Sequence, residues 1–326
     1  MMGFDSNKRL FFYSIIVLQK KSNFDSINKT HKGITTMLDL HGYLKTSNNF
    51  RKLQIHDLLF VEYKCLVNES KAGIWSDANY FVFVTSGKKM WRSIYNDYVV
   101  EAGDSLFVKK GANLVHQYFE EDYCALMVFM PDEFIKKFIQ RFSSIVARTD
   151  SNEAYRTDAV IRIKLDVYLE GYINSLATFL SSPSYPDKNL LHLKFEELLL
   201  NIFTNPIHKT LAQYLLSINK EQSTQLKQIM EENFAYCLNL EQYANLCNMS
   251  LSSFKRNFQE AYNASPGKWL SNKRLDFASH LLKTTDKPVN LVGFECGFEE
   301  PSSFIRAFKQ RFSVTPLQYR VTPTNG

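Results

Sequence analysis

The sequence predicts an α+β chain: an N-terminal β-barrel with helices packed on it, then an all-α domain holding two helix-turn-helix units. Three observations carry this. Between about residues 50 and 130, short β-branched and aromatic runs are cut by Gly, Asn and Asp, as closely spaced strands of a barrel or jelly roll are. From residue 131 onward, apolar residues recur at helical spacing. In the last hundred residues two short helix–turn–helix patterns carry equivalent arginines, Arg256 and Arg306, 50 positions apart. The 326 residues suffice for two domains. Their expected limits are 41–207 and 222–322, with a variable arm over 1–40 and a linker over 208–221.

The arm holds a nine-residue apolar stretch at 10–18 after Lys8 and Arg9. A basic start and a short apolar core resemble a signal peptide, but Gln19, Lys20 and Lys21 follow without a small-residue cleavage site. A buried strand, or an extension upstream of the true start, is the plainer reading, and Met37 is an alternative start. No apolar run approaches the roughly 18 residues of a membrane helix, so no membrane partner is expected. Five cysteines, odd in number and without a C-x-x-C pair, fit a reducing cytoplasm better than a disulfide scaffold or zinc site. The formal net charge of +6 is modest, and 26 Phe and 17 Tyr can build sizeable cores.

Strands are expected at 60–65, 79–87, 88–97, 98–111 and 124–131. Gly103-Asp104, Gly111 and His116 resemble one half of a cupin motif, which makes the barrel cupin-like. Metal-binding cupins offer a His-x-His and a Glu in the preceding motif, whereas 80–88 has no histidine. A metal needs three or four ligands in one place, so His116 reads as a polar residue at a strand end. No Ser–His–Asp, paired-carboxylate or P-loop pattern occurs. The expectation is therefore no enzyme, no cofactor and no metal.

A helix follows at 131–142, started by Pro131-Asp132, with Phe134, Ile135, Phe138 and Phe142 on one face. Residues 143–157 are polar and read as a loop. Two more helices are expected at 159–180 and 189–203. Leu190, Leu191, Leu193, Leu198, Leu199 and Phe203 give the second a wide apolar face, which packs on the barrel or in part against a second copy; the stripe alone does not decide. Asn205-Pro206 and the polar 217–224 mark the linker.

In the first helix-turn-helix unit, 239–258, Leu240, Tyr243, Ala244 and Leu246 mark a short helix. Asn248 suits a left-handed turn, and Ser250 suits the N-cap of the next helix. That helix turns Phe254 and Phe258 inward and Lys255 and Arg256 outward. The second unit spans 289–320. A first helix runs to Cys296, Gly297-Phe298 form the turn, and Pro301 opens the second helix, where its missing N–H is tolerated. Phe304, Ala307, Phe308 and Phe312 share a face. From Pro301 onward there are four basic residues, Arg306, Lys309, Arg311 and Arg320, and no acidic one, a local field that favours phosphate.

With these residues in place, the last hundred positions resemble the DNA-binding domain of the AraC/XylS family of bacterial transcription regulators. The family's C-terminal signature, a Gly-Phe turn, S-x-F-x-R-x-F-K-x-x-F and T-P-x-x-Y-R, stands here as Gly297-Phe298, 302–312 and 315–320. Its connecting helix matches 265–285. Departures are mild: Gly293 stands where Ala is usual, which weakens that helix by about 1 kcal/mol, while Asn248 and Ser313 replace glycines. The N-terminal half resembles the branch of the family that contains ExsA, an activator of type III secretion genes. That likeness implies self-association and control by a regulatory protein partner instead of a sugar.

The resemblance implies a transcription regulator, in its commoner mode an activator, with double-stranded promoter DNA and RNA polymerase as partners and a homodimer as the assembly. The expected DNA-binding residues are Ser252, Ser253, Lys255 and Arg256 in the first unit and Ser302, Ser303 and Arg306 in the second, with Lys309 and Arg311 on phosphate. Lys268 and Lys273 are further phosphate candidates, or solvated surface charges. Arg256 and Arg306 are the best base readers, because a guanidinium binds guanine O6 and N7 bidentately. An alternative is a cupin sensor whose small-molecule ligand gates DNA binding.

Overall fold

Strand sequences that are apolar at nearly every position need cover on both faces. Such runs occur at 58–61, 80–84 and 125–130. The computed structural model describes residues 37–64, 71–118, 122–147, 149, 158–219 and 222–321, and it shows how each run is covered. The N-terminal part runs β1 (Met37–Asp39), α1 (Leu40–Thr46), β2 (Arg51–Ile55), β3 (Leu58–Lys64), β4 (Lys71–Ser76), β5 (Asn79–Ser86), β6 (Lys88–Arg92), β7 (Asp97–Glu101), β8 (Ser105–Val108), β9 (Gly111–Gln117) and β10 (Cys124–Met130). It continues through α2 (Asp132–Arg141), α3 (Ser143–Val146), β11 (Val160–Ile163), α4 (Val167–Ser181), α5 (Lys188–Thr204) and α6 (Lys209–Ser217).

The strands form two sheets, in the orders β1-β4-β9-β6-β7 and β11-β8-β5-β10-β3-β2. β1 lies parallel to β4, and the other pairs are antiparallel. Because side chains alternate across a strand, β5 feeds two cores. Tyr80, Val82 and Val84 fill the space between the sheets with Val61, Val115, Met127 and Phe129. Phe81 and Phe83 point outward, where α2, α4, α5 and α6 cover them with Phe138, Leu169, Leu176, Phe195, Leu199 and Leu215. β10 is divided in the same way, Ala125, Met127 and Phe129 inward and Leu126, Val128 and Met130 outward. The exposed edge of β2 is pinned by Tyr185, whose hydroxyl accepts from the Gln54 N–H at 2.8 Å and donates to its carbonyl at 2.7 Å. Such a plug blunts an edge that could otherwise pair with another chain.

Several expectations change. The arm is cut short: residues 1–36, with the 10–18 stretch, lie outside the described residues, but 37–40 belong to the sandwich. β1 pairs with β4, and Asp39 caps α1 by accepting from the Gly42 N–H at 3.0 Å. The helix expected at 159–180 is a strand followed by a shorter helix. Val160, Ile161 and Ile163 are β-branched and extend the sheet beside β8, and Asp166 then caps α4 by accepting from Tyr168 and Leu169 N–H. The linker expected over 208–221 is mostly α6, because Leu211, Ala212 and Leu215 are buried against the sandwich helices. The loop expected from 143 opens with the single turn of α3. The α5 face also splits: Leu191, Leu198, Leu199 and Phe203 are buried, while Leu190 and Leu193 are 46% and 53% exposed.

The C-terminal part is α7 (Gln222–Asn233), α8 (Leu240–Leu246), α9 (Leu251–Tyr262), α10 (Pro266–Thr284), α11 (Val289–Glu295), α12 (Pro301–Phe312) and α13 (Pro316–Val321). It has two separate cores. One gathers Leu226, Met230, Phe234, Tyr243, Leu246, Phe254 and Phe258, and the other Val292, Cys296, Phe304 and Phe308. α10 serves both, giving Leu270 to the first and Leu275, Ala278 and Leu282 to the second.

The first of these cores also takes Trp75 and Ala112 from the sandwich. Polar groups fix the joint. Lys109, buried, pairs with Glu232 at 2.8 Å. The Asn233 side chain accepts from the Ala112 N–H at 2.7 Å and donates to the Ile229 carbonyl at 2.8 Å. Gly111 passes so close that a Cβ there would meet Asn233 at 2.7 Å, and its φ of +135° suits glycine. Replacing Asn233 by Ala strands the buried Ala112 N–H. Urea unfolding should show a loss of about 1–3 kcal/mol; an unchanged midpoint would mean that the bond contributes nothing.

Candidate nucleic-acid interface

Each unit is built by local signals that the sequence carries. In the first, Asn239 and Gln242 form a capping box at α8: the Asn239 side chain accepts from the Gln242 N–H at 2.9 Å, and the Gln242 side chain accepts from the Asn239 N–H at 2.8 Å. Asn248 sits in the turn at φ 53°, and Ser250 caps α9 by accepting from the Ser253 N–H at 3.2 Å. In the second unit Gly297 makes the turn at φ 82°, and Pro301 occupies the first turn of α12. Both second helices end on a left-handed residue, Asn263 at φ 49° and Ser313 at φ 65°, as helix C-termini commonly do.

The result is a repeated surface. Over their first ten residues α9 and α12 have the same sequence of exposed, half-buried and buried positions. Phe254 and Phe258 are fully buried, as are Phe304 and Phe308. Ser252, Lys255 and Arg256 are exposed in the first unit, and Ser302, Arg306 and Lys309 in the second. Ser302, Arg306 and Lys309 stand at i, i+4 and i+7 along one outward line. Ser253 and Ser303 are half-buried, and the Ser253 hydroxyl accepts from that of Ser250 at 3.0 Å within the cap.

Other expected contacts are engaged elsewhere. Arg311 turns back onto α10, donating to Asp276 at 2.6 and 3.1 Å and to Asn272 at 2.9 Å. Lys273 pairs with Glu231 at 2.7 Å and lies over Trp269 and Phe234. Lys268 is exposed. Sequence reasoning passed over Ile305, which is 36% exposed at the position Lys255 holds in the first unit; the 50-residue register could have found it. Burial pushes the Cys247 thiol up to about 12 and raises Cys296 as well, so neither is a reactive thiolate. His116 is held below the ordinary histidine value by burial, then by Lys71 and Arg92. Among the described residues no three His, Cys, Asp or Glu side chains stand together as a metal site, and no helix is long and apolar enough to cross a membrane.

Comparison with known proteins agrees with this geometry. Residues 79–214 match the ExsA N-terminal regulatory domain, and residues 243–322 match a helix-turn-helix domain family. The virulence regulon transcriptional activator VirF of Yersinia enterocolitica is 27% identical over 236 residues, covering 72% of this chain and 86% of VirF. The HTH-type transcriptional regulator ExsA of Pseudomonas aeruginosa is 26% identical over 234 residues, 72% of this chain and 83% of ExsA. This chain belongs to the AraC/XylS family. It is a DNA-binding transcription regulator. A ToxT structure from Vibrio cholerae aligns over 83% of this chain and 98% of its own, at 12% identity and a TM-score of 0.42.

Against the usual alanine of AraC/XylS proteins, Gly293 looked like a loss of helix propensity. It is buried, and a Cβ there would meet Phe304 ring atoms at 2.8 and 3.0 Å and its Cβ at 3.3 Å. Phe304 is fully buried in the second core, together with Val292, Cys296 and Phe308. Gly293→Ala should therefore lower the melting temperature, although propensity alone would add about 1 kcal/mol. A rise would show that Phe304 yields freely.

Proposed function

We propose that α9 and α12 of this regulator enter successive major-groove segments on one face of a promoter duplex. The observation that carries this is the shared burial pattern of the two helices, with Arg256 and Arg306 exposed at the same place and both units on α10. At 19 residues α10 is roughly 28 Å long, comparable with the ~34 Å helical repeat of DNA. Arg256 and Arg306 read guanine, and Ser252, Lys255 and Ser302 add base-edge contacts. Ile305 packs against a thymine methyl. Lys309 meets phosphate. Ser253, Ser303 and Arg311 then serve chiefly to set the helices, and Lys273 to brace α10 against α7.

In this reading the protein is a cytoplasmic activator that works with RNA polymerase as a homodimer and answers to a regulatory protein partner. Activation is supported by the similarity to VirF, a virulence regulon transcriptional activator. Self-association is supported by the exposed Leu190 and Leu193 on α5. The alternative, a ligand-gated sensor, has less support. The cavity between the sheets measures about 40 Å³, room for about three waters. Lys89 lies 4.5 Å from the ring centre of Tyr123 and 5.0 Å from that of Tyr63, so the chain's own side chain fills the aromatic surroundings there.

Arg256→Ala or Arg306→Ala should weaken specific binding by about 1–3 kcal/mol and relax the choice at one base position. Gel shifts with unchanged affinity and sequence preference for both variants would remove the assignment. For the dimer, Leu190→Glu combined with Leu193→Glu should shift the protein to monomers in sedimentation without lowering its melting temperature. Dimers of unchanged strength would rule out this face.

A further inference from the structure

The two helix-turn-helix units have distinct buried cores that are joined along α10, where Phe277 packs against both, and a polar joint adds to that packing. They meet where the segment entering the first unit, 234–236, touches the turn of the second. A Cβ on Gly297 would lie 2.8 Å from the Ala235 carbonyl oxygen. Arg274 of α10 stands in that joint. Its Nε donates to the Phe234 carbonyl and its Nη2 to the Tyr236 carbonyl, both at 2.7 Å. The same guanidinium would meet a Gly297 Cβ at 3.0 Å through both Cζ and Nε. Tyr243 of α8 is anchored beside it, donating to the Asn233 carbonyl at 2.8 Å.

We infer that Arg274 is a positioning residue that sets the spacing at which the two recognition helices meet DNA. This rests on the two-groove reading above. One planar group belongs to the connecting helix, grips the backbone that leads into the first unit, and lies against the backbone turn of the second. A guanidinium suits this because its donors are held in a rigid fork, and its bonds are charge-assisted. Lysine has a single ammonium on a flexible stem and cannot hold both carbonyls with the same planar geometry. With the fork gone, each unit keeps its own core and its own outward side chains, but the angle between them loosens.

The test uses the full chain, wild type, Arg274→Lys and Arg274→Gln. The probes are duplexes that the wild-type protein selects from a random pool. Derivatives have one recognised stretch scrambled, or about five base pairs, half a turn, inserted between the two. Wild type should lose about 100-fold on the half-turn insertion, because simultaneous engagement is forbidden. Both variants should lose about tenfold or less, with affinity for single-stretch duplexes unchanged from wild type. Variants that keep the wild-type spacing preference would overturn the inference. So would an equal loss on single-stretch and two-stretch duplexes, which marks a role in stability only. A wild-type protein indifferent to spacing would overturn the two-groove reading itself.

Discussion

One helix is shared by two small cores, and the rest of the C-terminal architecture follows from it. α10 buries Leu270 in the first core and Leu275, Ala278 and Leu282 in the second. Neither unit is large enough to bury a sizeable core alone, so each depends on its half of α10. Sharing the helix turns two marginal folds into a body with a fixed separation. The polar ties reinforce this: Arg274 reaches toward the first unit, Arg311 ties α12 to Asp276 and Asn272, and Arg320 holds α13 to the Lys287 carbonyl at 2.5 Å. Three arginines therefore fix backbone and helix positions, while Arg256 and Arg306 remain exposed.

The sandwich is joined to the first unit by buried polar groups. Asp132 accepts from Lys110 at 2.5 Å, from Asn79 at 2.8 Å and from Asn248 at 3.3 Å. Asn248 is the left-handed turn residue of the first helix-turn-helix. A carboxylate of the N-terminal half is thus shared between a buried lysine and the turn that aims α9. Buried pairs of this kind contribute little net stability, but breaking one by removing a partner is strongly unfavourable. They act here as a registry device between the halves.

The C-terminal domain was legible because its signals are local. Caps, a left-handed Asn, a Pro at a helix start and phenylalanines at i and i+4 each act within a few residues. Ser250, Asn248, Pro301 and the phenylalanines follow from the sequence, while the Asn239–Gln242 capping box was not anticipated. The N-terminal half was less legible because its signals are long-range. VIRI at 160–163 becomes a strand only because β8 lies beside it, and 209–217 becomes a buried helix only because the sandwich helices cover it. β5 and β10 were legible from their β-branched and aromatic content, but their burial on both faces erased the alternation that would have shown which residues face which core. The setting of Gly293 was illegible for a related reason: propensity is a property of one helix, but the space beside Gly293 belongs to Phe304. The roles of Arg311 and Lys273 in tying helices together required partners from other elements, which no spacing along the chain reveals.

The most direct measurement is hydroxyl-radical footprinting of the protein on a duplex it binds specifically. Two recognition helices mounted on one rigid rod predict two protected patches, about one helical turn apart and on the same face of the duplex. A single patch, or two patches on opposite faces, would contradict the account.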